Sequence, residues 1–227
     1  MSEVEEILKR YKKRDKFVRR YNILNPWTYK GEQEKEISLI KWIKTCSILP
    51  LENKKLLEIG CGTGANLLQL IRLGFDPENL FGNELIEDRY NIARSRLPEK
   101  LKLYYGNALD VNFEGKFDIV FQSMVFSSIL DEKFKSSLAE RMWRMVNNGG
   151  GILWYDFIYN NPSNRDVKGI PFKKVKEYFP EGQIRKWKIT LAPPVSRLVT
   201  NLHPSLYSVF NNFPFLRTHI LCWIHKK

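Results

Sequence analysis

One short segment, residues 56–66 (LLEIGCGTGAN), constrains the fold more than any other part of this 227-residue chain. Its first residues are mainly apolar, as expected for a buried strand, and glycines then stand at every second position: Gly60, Gly62 and Gly64. Glycines let a ligand approach the backbone closely, and the helix expected at residues 64–73 offers free N–H groups at its start. The segment therefore predicts a strand, a ligand-binding loop and a helix in succession.

Short apolar strands alternate with helices from residue 55 onward. We predict helices at residues 64–73, 87–96, 132–147 and 172–179, and strands at residues 55–59, 80–84, 101–105, 117–122, 151–157, 183–190 and 218–225. Such alternation is typical of a parallel sheet covered by helices on both faces. The predicted fold class is α/β, a Rossmann-like doubly wound sheet that is mostly parallel, with an antiparallel last strand and a helical N-terminal cap.

The chain is predicted to form a single domain with three parts. These are a helical cap (residues 1–50), a core (residues 51–160) and a C-terminal part (residues 161–227) that contains an insertion at residues 191–217. The apolar spacing in the cap predicts helices at residues 4–20 and 33–48, with Asn25 and Pro26 ending the first helix. In the second helix, Ile37, Ile40, Ile43 and Ile48 are predicted to face inward.

The net charge of +12 is concentrated outside the predicted core. Residues 9–20 hold eight bases and one acid, residues 165–227 hold twelve bases and three acids, and residues 21–164 have a net charge of −1. A uniform excess of this size would suggest a polyanionic partner. Because the positive charge is confined to the two flanks, it is expected to act on the molecule that binds between those flanks.

The cysteines and the hydropathy pattern exclude several classes of protein. Cys46, Cys61 and Cys222 are odd in number and lack metal-ligand spacing, so neither a disulfide framework nor a metal site is predicted. No apolar run approaches the about 20 residues of a membrane span, and the N-terminus lacks a signal-peptide core. The expected location is cytoplasmic, with contact at the inner membrane face as an option.

Two acidic residues flank the glycine loop. Glu58 lies two residues before Gly60, and Glu84 ends the next predicted strand. A carboxylate at the first position suits a sulfonium or ammonium ion better than a pyrophosphate, and one at the second can accept both hydroxyls of a ribose. The pattern favours a cationic nucleoside, although Gly60, Gly62 and Ala65 also fit the dinucleotide pattern G-x-G-x-x-G/A, which leaves an NAD-dependent oxidoreductase as an alternative.

Residues 55–157 resemble a class I S-adenosylmethionine-dependent methyltransferase. Five segments carry the resemblance in the family's order: LLEIGCGTG, FGNELIEDR, YGNA, FDIVFQS and NGGGILW. It implies that S-adenosylmethionine is the cofactor and that Asn107, where the family commonly has an aspartate, holds the adenine amino group. The implied cofactor-binding residues are Glu58, Gly60, Cys61, Gly62, Gly64, Glu84, Leu85, Asn107, Ala108 and Gln122.

Methyl transfer to a hydroxyl would be helped by a general base that is aligned with the acceptor. Asp156, near the end of a strand, and His219, near the start of the last strand, are the candidate catalytic residues, ahead of His203. No metal-ligand cluster is visible in the sequence, so a metal-dependent mechanism is disfavoured, and no oligomeric state is predicted.

The acceptor is expected to lie between the two basic flanks. We predict a hydroxyl of a small molecule or of a glycan or glycolipid intermediate, with a negative charge or a lipid carrier as options, and with residues 191–217 covering it or resting on a membrane surface. The C-terminal part also resembles methyltransferases of bacterial surface-polysaccharide clusters. An RNA methyltransferase is the main alternative, although residues 122–125 (QSMV) lack the Asn/Asp-Pro-Pro-aromatic signature of amino-group methylation. A cofactor-binding scaffold without catalysis is a further alternative.

Overall fold

The computed structural model describes residues 2–14, 22–161 and 164–227. Seven strands form one sheet: β1 (Leu56–Ile59), β2 (Leu80–Glu84), β3 (Lys102–Tyr105), β4 (Phe117–Ser123), β5 (Val146–Phe157), β6 (Gln183–Leu191) and β7 (Arg217–His225). Their spatial order is β3-β2-β1-β4-β5-β7-β6. The order reverses beside β1, so the switch point lies between β1 and β4, where open α/β sheets bind ligands.

The sheet is parallel except for one strand. β7 runs antiparallel to both of its neighbours, β5 and β6, whereas every other pairing is parallel. The carboxyl ends of β1 to β6 consequently lie along one rim of the sheet. The prediction of a mostly parallel, Rossmann-like sheet with an antiparallel last strand is confirmed.

Helices cover both faces of the sheet. They are α1 (Glu3–Arg14), α2 (Pro26–Thr45), α3 (Ala65–Leu73), α4 (Glu87–Arg96), α5 (Glu132–Met145), α6 (Phe172–Tyr178), α7 (Pro193–Leu202) and α8 (Leu206–Asn211). One core layer includes Trp154, Met142 and Phe126, and the other includes Leu153, Trp42 and Leu67. None of the helices in the described part of the chain is long and apolar enough to cross a membrane.

The inward face of α2 differs from the predicted one. Ile37 is 66% exposed and Ile40 is also exposed, whereas Leu39 and Trp42 are buried. The buried face also includes the polar Lys35 and Ser38, which a purely hydrophobic pattern passes over. The inward orientation predicted for Ile37 and Ile40 was therefore wrong, and that for Ile43 and Ile48 was correct.

The boundary between the first two helices also differs from the prediction. Pro26 begins α2, because a proline at the first helical position lacks only an N–H that would have no partner there. The predicted start at residue 33 was too late. α1 extends to Arg14, and the remainder of the predicted 4–20 helix lies outside the described residues.

The insertion at residues 191–217 is largely helical. α7 and α8 pack against each other around Val199 and Tyr207, and the short 3-10 helix Pro214–Leu216 leads into β7. The insertion connects the end of β6 to the start of β7. It therefore sits at the same rim as the carboxyl ends of the parallel strands.

Candidate active site

The glycine loop after β1 is open on one side only. Gly60, Gly62 and Gly64 all have positive φ (66°, 58° and 84°), a conformation that favours glycine. A Cβ added at Gly60 would lie 2.6 Å from Val125 Cγ2, and one at Gly64 would lie 2.8 Å from Leu97 Cδ1. A Cβ at Gly62 would meet no described atom within 4 Å, so this is the face that a ligand can approach.

Glu84, at the carboxyl end of β2, is bonded to this loop. Its Oε2 accepts a hydrogen bond from Gly62 N (2.7 Å), and its Oε1 accepts one from Ile86 N (2.8 Å). Burial raises the pKa of this carboxyl, and the two backbone donors and Arg89 act against that rise. Each oxygen keeps a second lone pair that can accept a hydroxyl hydrogen.

Glu58 is completely buried beside the loop, and one of its oxygens has no partner in the part of the chain that the structure describes. Oε1 accepts a hydrogen bond from Asn66 Nδ2 (2.6 Å), whereas no described residue donates to Oε2. Burial raises the pKa of this carboxyl to about 8, so it is mostly protonated at neutral pH. A cation beside Oε2 would favour the charged carboxylate and thereby lower the pKa of Glu58.

A buried lysine of α2 completes this group and was missed from the sequence. Lys35 Nζ donates to Asn66 Oδ1 (3.0 Å) and pairs with Glu32 (2.6 Å). An ammonium group and a carboxyl group thus stand on either side of the Asn66 amide. The position of Asn66 directly after the loop was a sequence signal, but nothing in the sequence distinguished Lys35 from the other bases.

The remaining residues predicted to hold the cofactor differ in how free their polar groups are. Asn107 Oδ1 accepts a hydrogen bond from Leu109 N, which leaves one lone pair. The Gln122 amide is buried and already bonded to the backbone of Tyr155 and Val125, so it fixes the turn after β4. The others line the loop and the strand ends without a free polar side chain: Cys61 and Ala108 are buried, and Leu85 is half-buried.

Asp156 is buried in the core layer that contains Trp154. Its Oδ2 accepts a hydrogen bond from Ser127 N (3.1 Å), and its Oδ1 accepts one from Phe157 N (2.9 Å). Burial raises its pKa to about 7. These contacts tie the end of β5 to the short 3-10 helix Phe126–Ser128.

His219 lies on the opposite face of the sheet from Asp156. It is paired with Phe157 across β5 and β7, and its ring stacks on Tyr155 with 5.2 Å between ring centroids. Successive residues of a strand point to opposite faces, so Asp156 points away from both. The two predicted catalytic side chains are therefore not brought together.

The His219 imidazole is held uncharged at the rim. Burial lowers its pKa to about 3, with a further contribution from Lys35. Nδ1 lies 3.0 Å from Thr218 Oγ1, which leaves Nε2 as the ring nitrogen that could face an acceptor.

A chain of hydrogen bonds supports this rim and was also missed from the sequence. Thr190, a β-branched residue with φ of 64°, places its Oγ1 2.9 Å from the Tyr155 hydroxyl and donates its N–H to Glu34 Oε1 (2.9 Å). Glu34 Oε2 accepts a hydrogen bond from the Tyr207 hydroxyl (2.6 Å). A β-branched residue in this conformation is strained and persists only where its surroundings hold it.

The described residues contain no group of three or more His, Cys, Asp or Glu side chains placed to hold a metal ion. The three cysteines, all within the described ranges, are unpaired. Burial raises the pKa of the Cys222 thiol to about 12, and it also raises that of Cys61. Neither thiol is therefore activated as a nucleophile.

Comparison with known proteins finds a match for the central part of the chain. Residues 56–150 match the model of a family described as a methyltransferase domain. This range runs from the start of β1 into β5 and contains the glycine loop, Glu58 and Glu84.

Curated relatives resemble only part of the chain. A protein named type II methyltransferase M.VspI, from Vibrio sp. (strain 343), is 33% identical over 133 residues, covering 48% of this chain and 33% of that protein. A fatty-acid O-methyltransferase of Mycolicibacterium smegmatis is 35% identical over 114 residues, covering 49% of this chain and 40% of that protein. The chain thus spans less than half the length of either relative.

A solved structure resembles the whole chain. The crystal structure of magnesium protoporphyrin IX methyltransferase from Synechocystis PCC 6803 with bound SAM superposes with a TM-score of 0.68 at 14% sequence identity. The match covers 100% of this chain and 98% of that chain. At this identity the likeness establishes the fold.

Proposed function

We propose that this chain transfers a methyl group from S-adenosylmethionine to a hydroxyl, because residues 56–150 match a methyltransferase domain model and the fold is that of class I S-adenosylmethionine-dependent methyltransferases. The acceptor that we propose is a small molecule or a glycan or glycolipid intermediate. The observation that carries the cofactor assignment is the pair of buried acids, Glu58 and Glu84, on either side of the open Gly62.

The side chains around the loop fit this cofactor. Glu58 Oε2 is a buried acceptor with no partner among the described residues and would bind a cationic group, whereas Lys35 would bind a carboxylate. Glu84 would accept the ribose hydroxyls, and Gly62 leaves room for the ligand against the backbone. Opposite charges on either side of Asn66 match the two charged groups of an amino acid.

S-adenosylmethionine supplies a methyl group that is activated by its positively charged sulfur, so the protein mainly has to bind, align and exclude water. We assign to His219 the role of accepting a hydrogen bond from the acceptor hydroxyl at Nε2, because its ring is uncharged and stands at the rim. Asp156, whose oxygens are engaged with Ser127 and Phe157, would shape the turn after β4. A base role for Asp156 would require the acceptor to reach the other face of the sheet.

Oxygen as the acceptor atom is supported by the name of the M. smegmatis relative and by the absence of the amino-group signature after β4. The basic flanks support an anionic acceptor. The experiments must distinguish this proposal from two alternatives, an RNA methyltransferase and an NAD-dependent oxidoreductase.

The cofactor assignment is tested by equilibrium dialysis of the full chain with labelled S-adenosylmethionine and, separately, with labelled NAD. We expect binding of the first only, and at least about tenfold weaker binding by Glu84→Ala because two hydrogen bonds to the ribose are lost. Glu114→Ala, which removes an exposed acid paired with Lys102, is the matched control and should bind normally. NAD binding without S-adenosylmethionine binding would refute the proposal.

The acceptor is sought by incubating cell extracts with the protein and methyl-labelled cofactor, followed by mass spectrometry of the products. Label in a small molecule or glycolipid as an ether or ester supports the proposed acceptor class. Label that is found only in RNA contradicts it.

A further inference from the structure

The exposed apolar side chains of this protein are concentrated at one end of the sheet. Fifteen large apolar side chains are exposed in the described part of the chain, and eight of them come from two short segments, residues 22–30 and 193–216. We call these eight the rim surface: Ile23, Leu24, Tyr29, Leu198, Leu202, Val209, Phe213 and Phe215.

The two segments of the rim surface are close in the structure. α2 packs against α7, and the Arg197 guanidinium carbon lies 5.7 Å from the centroid of the Trp27 ring. α8 is also near α2, since a Cβ at Gly31 would lie 3.9 Å from the Tyr207 hydroxyl. Leu198 and Leu202 share one face of α7, because residues four apart lie above one another on a helix.

The sequence around the rim surface is basic. Residues 22–30 contain one lysine and no acid, and residues 193–217 contain Arg197 and Arg217 and no acid. Residues 9–20, directly before the first segment, have a net charge of +7. Apolar side chains on short helices together with basic residues are the combination that binds an anionic bilayer, since neither signal alone holds a protein firmly.

The rim surface lies next to the proposed acceptor site. It surrounds the connection between β6 and β7, next to the end of β5 where His219 and Tyr155 stand. Tyr207, in α8, is bonded to Glu34 and through it to Thr190. A bilayer against this surface would lie beside the proposed acceptor site.

We propose that the rim surface docks the protein on an anionic lipid bilayer. Its apolar side chains insert at the level of the headgroups, and the surrounding lysines and arginines contact lipid phosphates. An acceptor carried on a lipid then reaches the rim without leaving the membrane.

The proposal is tested by sedimenting the full chain with vesicles of phosphatidylcholine alone and of phosphatidylcholine mixed with phosphatidylglycerol. We expect binding to the mixed vesicles only, and weaker binding as salt concentration rises, because salt screens charge. The variant Leu198→Ser/Leu202→Ser/Phe215→Ser should bind the mixed vesicles at least about tenfold less well, because less apolar area is buried.

The matched control is Leu49→Ser. Leu49 is 62% exposed, close to the 67% of Leu198, but it lies before β1 at the opposite end of the sheet. It should leave vesicle binding unchanged. Thermal unfolding and S-adenosylmethionine binding are measured on the same preparations, so that a misfolded variant or a failed cofactor assignment is recognised independently of lipid binding.

Three outcomes would overturn the proposal. The first is that the unmodified chain ignores the mixed vesicles, and the second is that Leu49→Ser loses as much binding as the triple variant. The third is that the chain self-associates in size-exclusion chromatography and the triple variant abolishes this, since the rim surface would then bind a second copy.

Discussion

Burial of the Glu58 carboxyl makes this side chain selective for a cationic ligand. Its carboxyl is completely buried, and its Oε2 has no described partner. Its pKa of about 8 means that the ligand-free protein avoids a buried negative charge by keeping the proton. A cationic ligand beside Oε2 would favour the ionised form instead.

The first prediction is that S-adenosylmethionine binding releases a proton from Glu58 at neutral pH. Affinity should rise with pH up to about 8 and then level off, because above the pKa of about 8 the free protein has already lost that proton. Titration calorimetry in buffers of different ionisation enthalpy measures the released proton.

The control for this prediction is Glu58→Gln, which keeps the shape of the side chain and an oxygen to accept from Asn66. It should bind roughly ten- to a hundredfold more weakly, and it should show no proton release. A pH dependence that persists in Glu58→Gln would assign the proton to another group.

At the scale of an element, the glycine loop combines two requirements in six residues. Gly64 must close the start of α3 against Leu97, whereas Gly62 must leave its outer side open. Both have positive φ, so an alanine is strained at either position. Only the neighbouring atoms show that Gly64 is needed for packing against Leu97, whereas Gly62 leaves space for a ligand.

The second prediction contrasts alanine at these two positions. Gly62→Ala should cost about 1–2 kcal/mol in the free energy of unfolding, from backbone strain alone, and should weaken S-adenosylmethionine binding because the added methyl occupies the ligand's space. Gly64→Ala should cost about 2–4 kcal/mol because it adds a clash with Leu97. Denaturant unfolding and dialysis measure the two effects, and normal cofactor binding by Gly62→Ala would contradict the proposed position of the ligand.

At the scale of the whole molecule, Glu34 joins three parts of the chain. It belongs to α2, it accepts a hydrogen bond from the Thr190 N–H at the end of β6, and it accepts another from the Tyr207 hydroxyl in α8. Tyr207 is buried against Leu191 and Val199 in a small core of its own. The insertion is therefore held to the rim by a few polar contacts and a minor apolar cluster.

The third prediction is that Glu34→Ala loosens the insertion without unfolding the sheet. It should cost about 1–3 kcal/mol, because the Tyr207 hydroxyl and the Thr190 N–H lose their acceptor. Hydrogen exchange measured by mass spectrometry should accelerate in residues 193–211. The control is Glu36→Ala, which removes another acid of α2, one that pairs with the exposed Arg72 of α3. Equal acceleration of exchange in both variants would refute the role of Glu34.

The amino-acid sequence by itself determined the fold class, the glycine loop and the two flanking acids. These features depend on short spacings, and the order of strands and loops along the chain carries them directly. Residues that act through distant contacts were not accessible in this way. Lys35 is one of 37 lysines and arginines, and only the packing of α2 on the sheet buries it beside Asn66.

Tertiary structure alone decided how the rim is built. The antiparallel register of β7 on β5 puts His219 opposite Phe157 and on Tyr155, and thereby on the other face from Asp156. Strand pairing between segments about sixty residues apart sets that register, and a shift of one residue would reverse it. The sequence placed both side chains near strand ends. Only the assembled sheet shows that Asp156 holds the end of β5 through buried hydrogen bonds, whereas His219 lies at the rim on the other face.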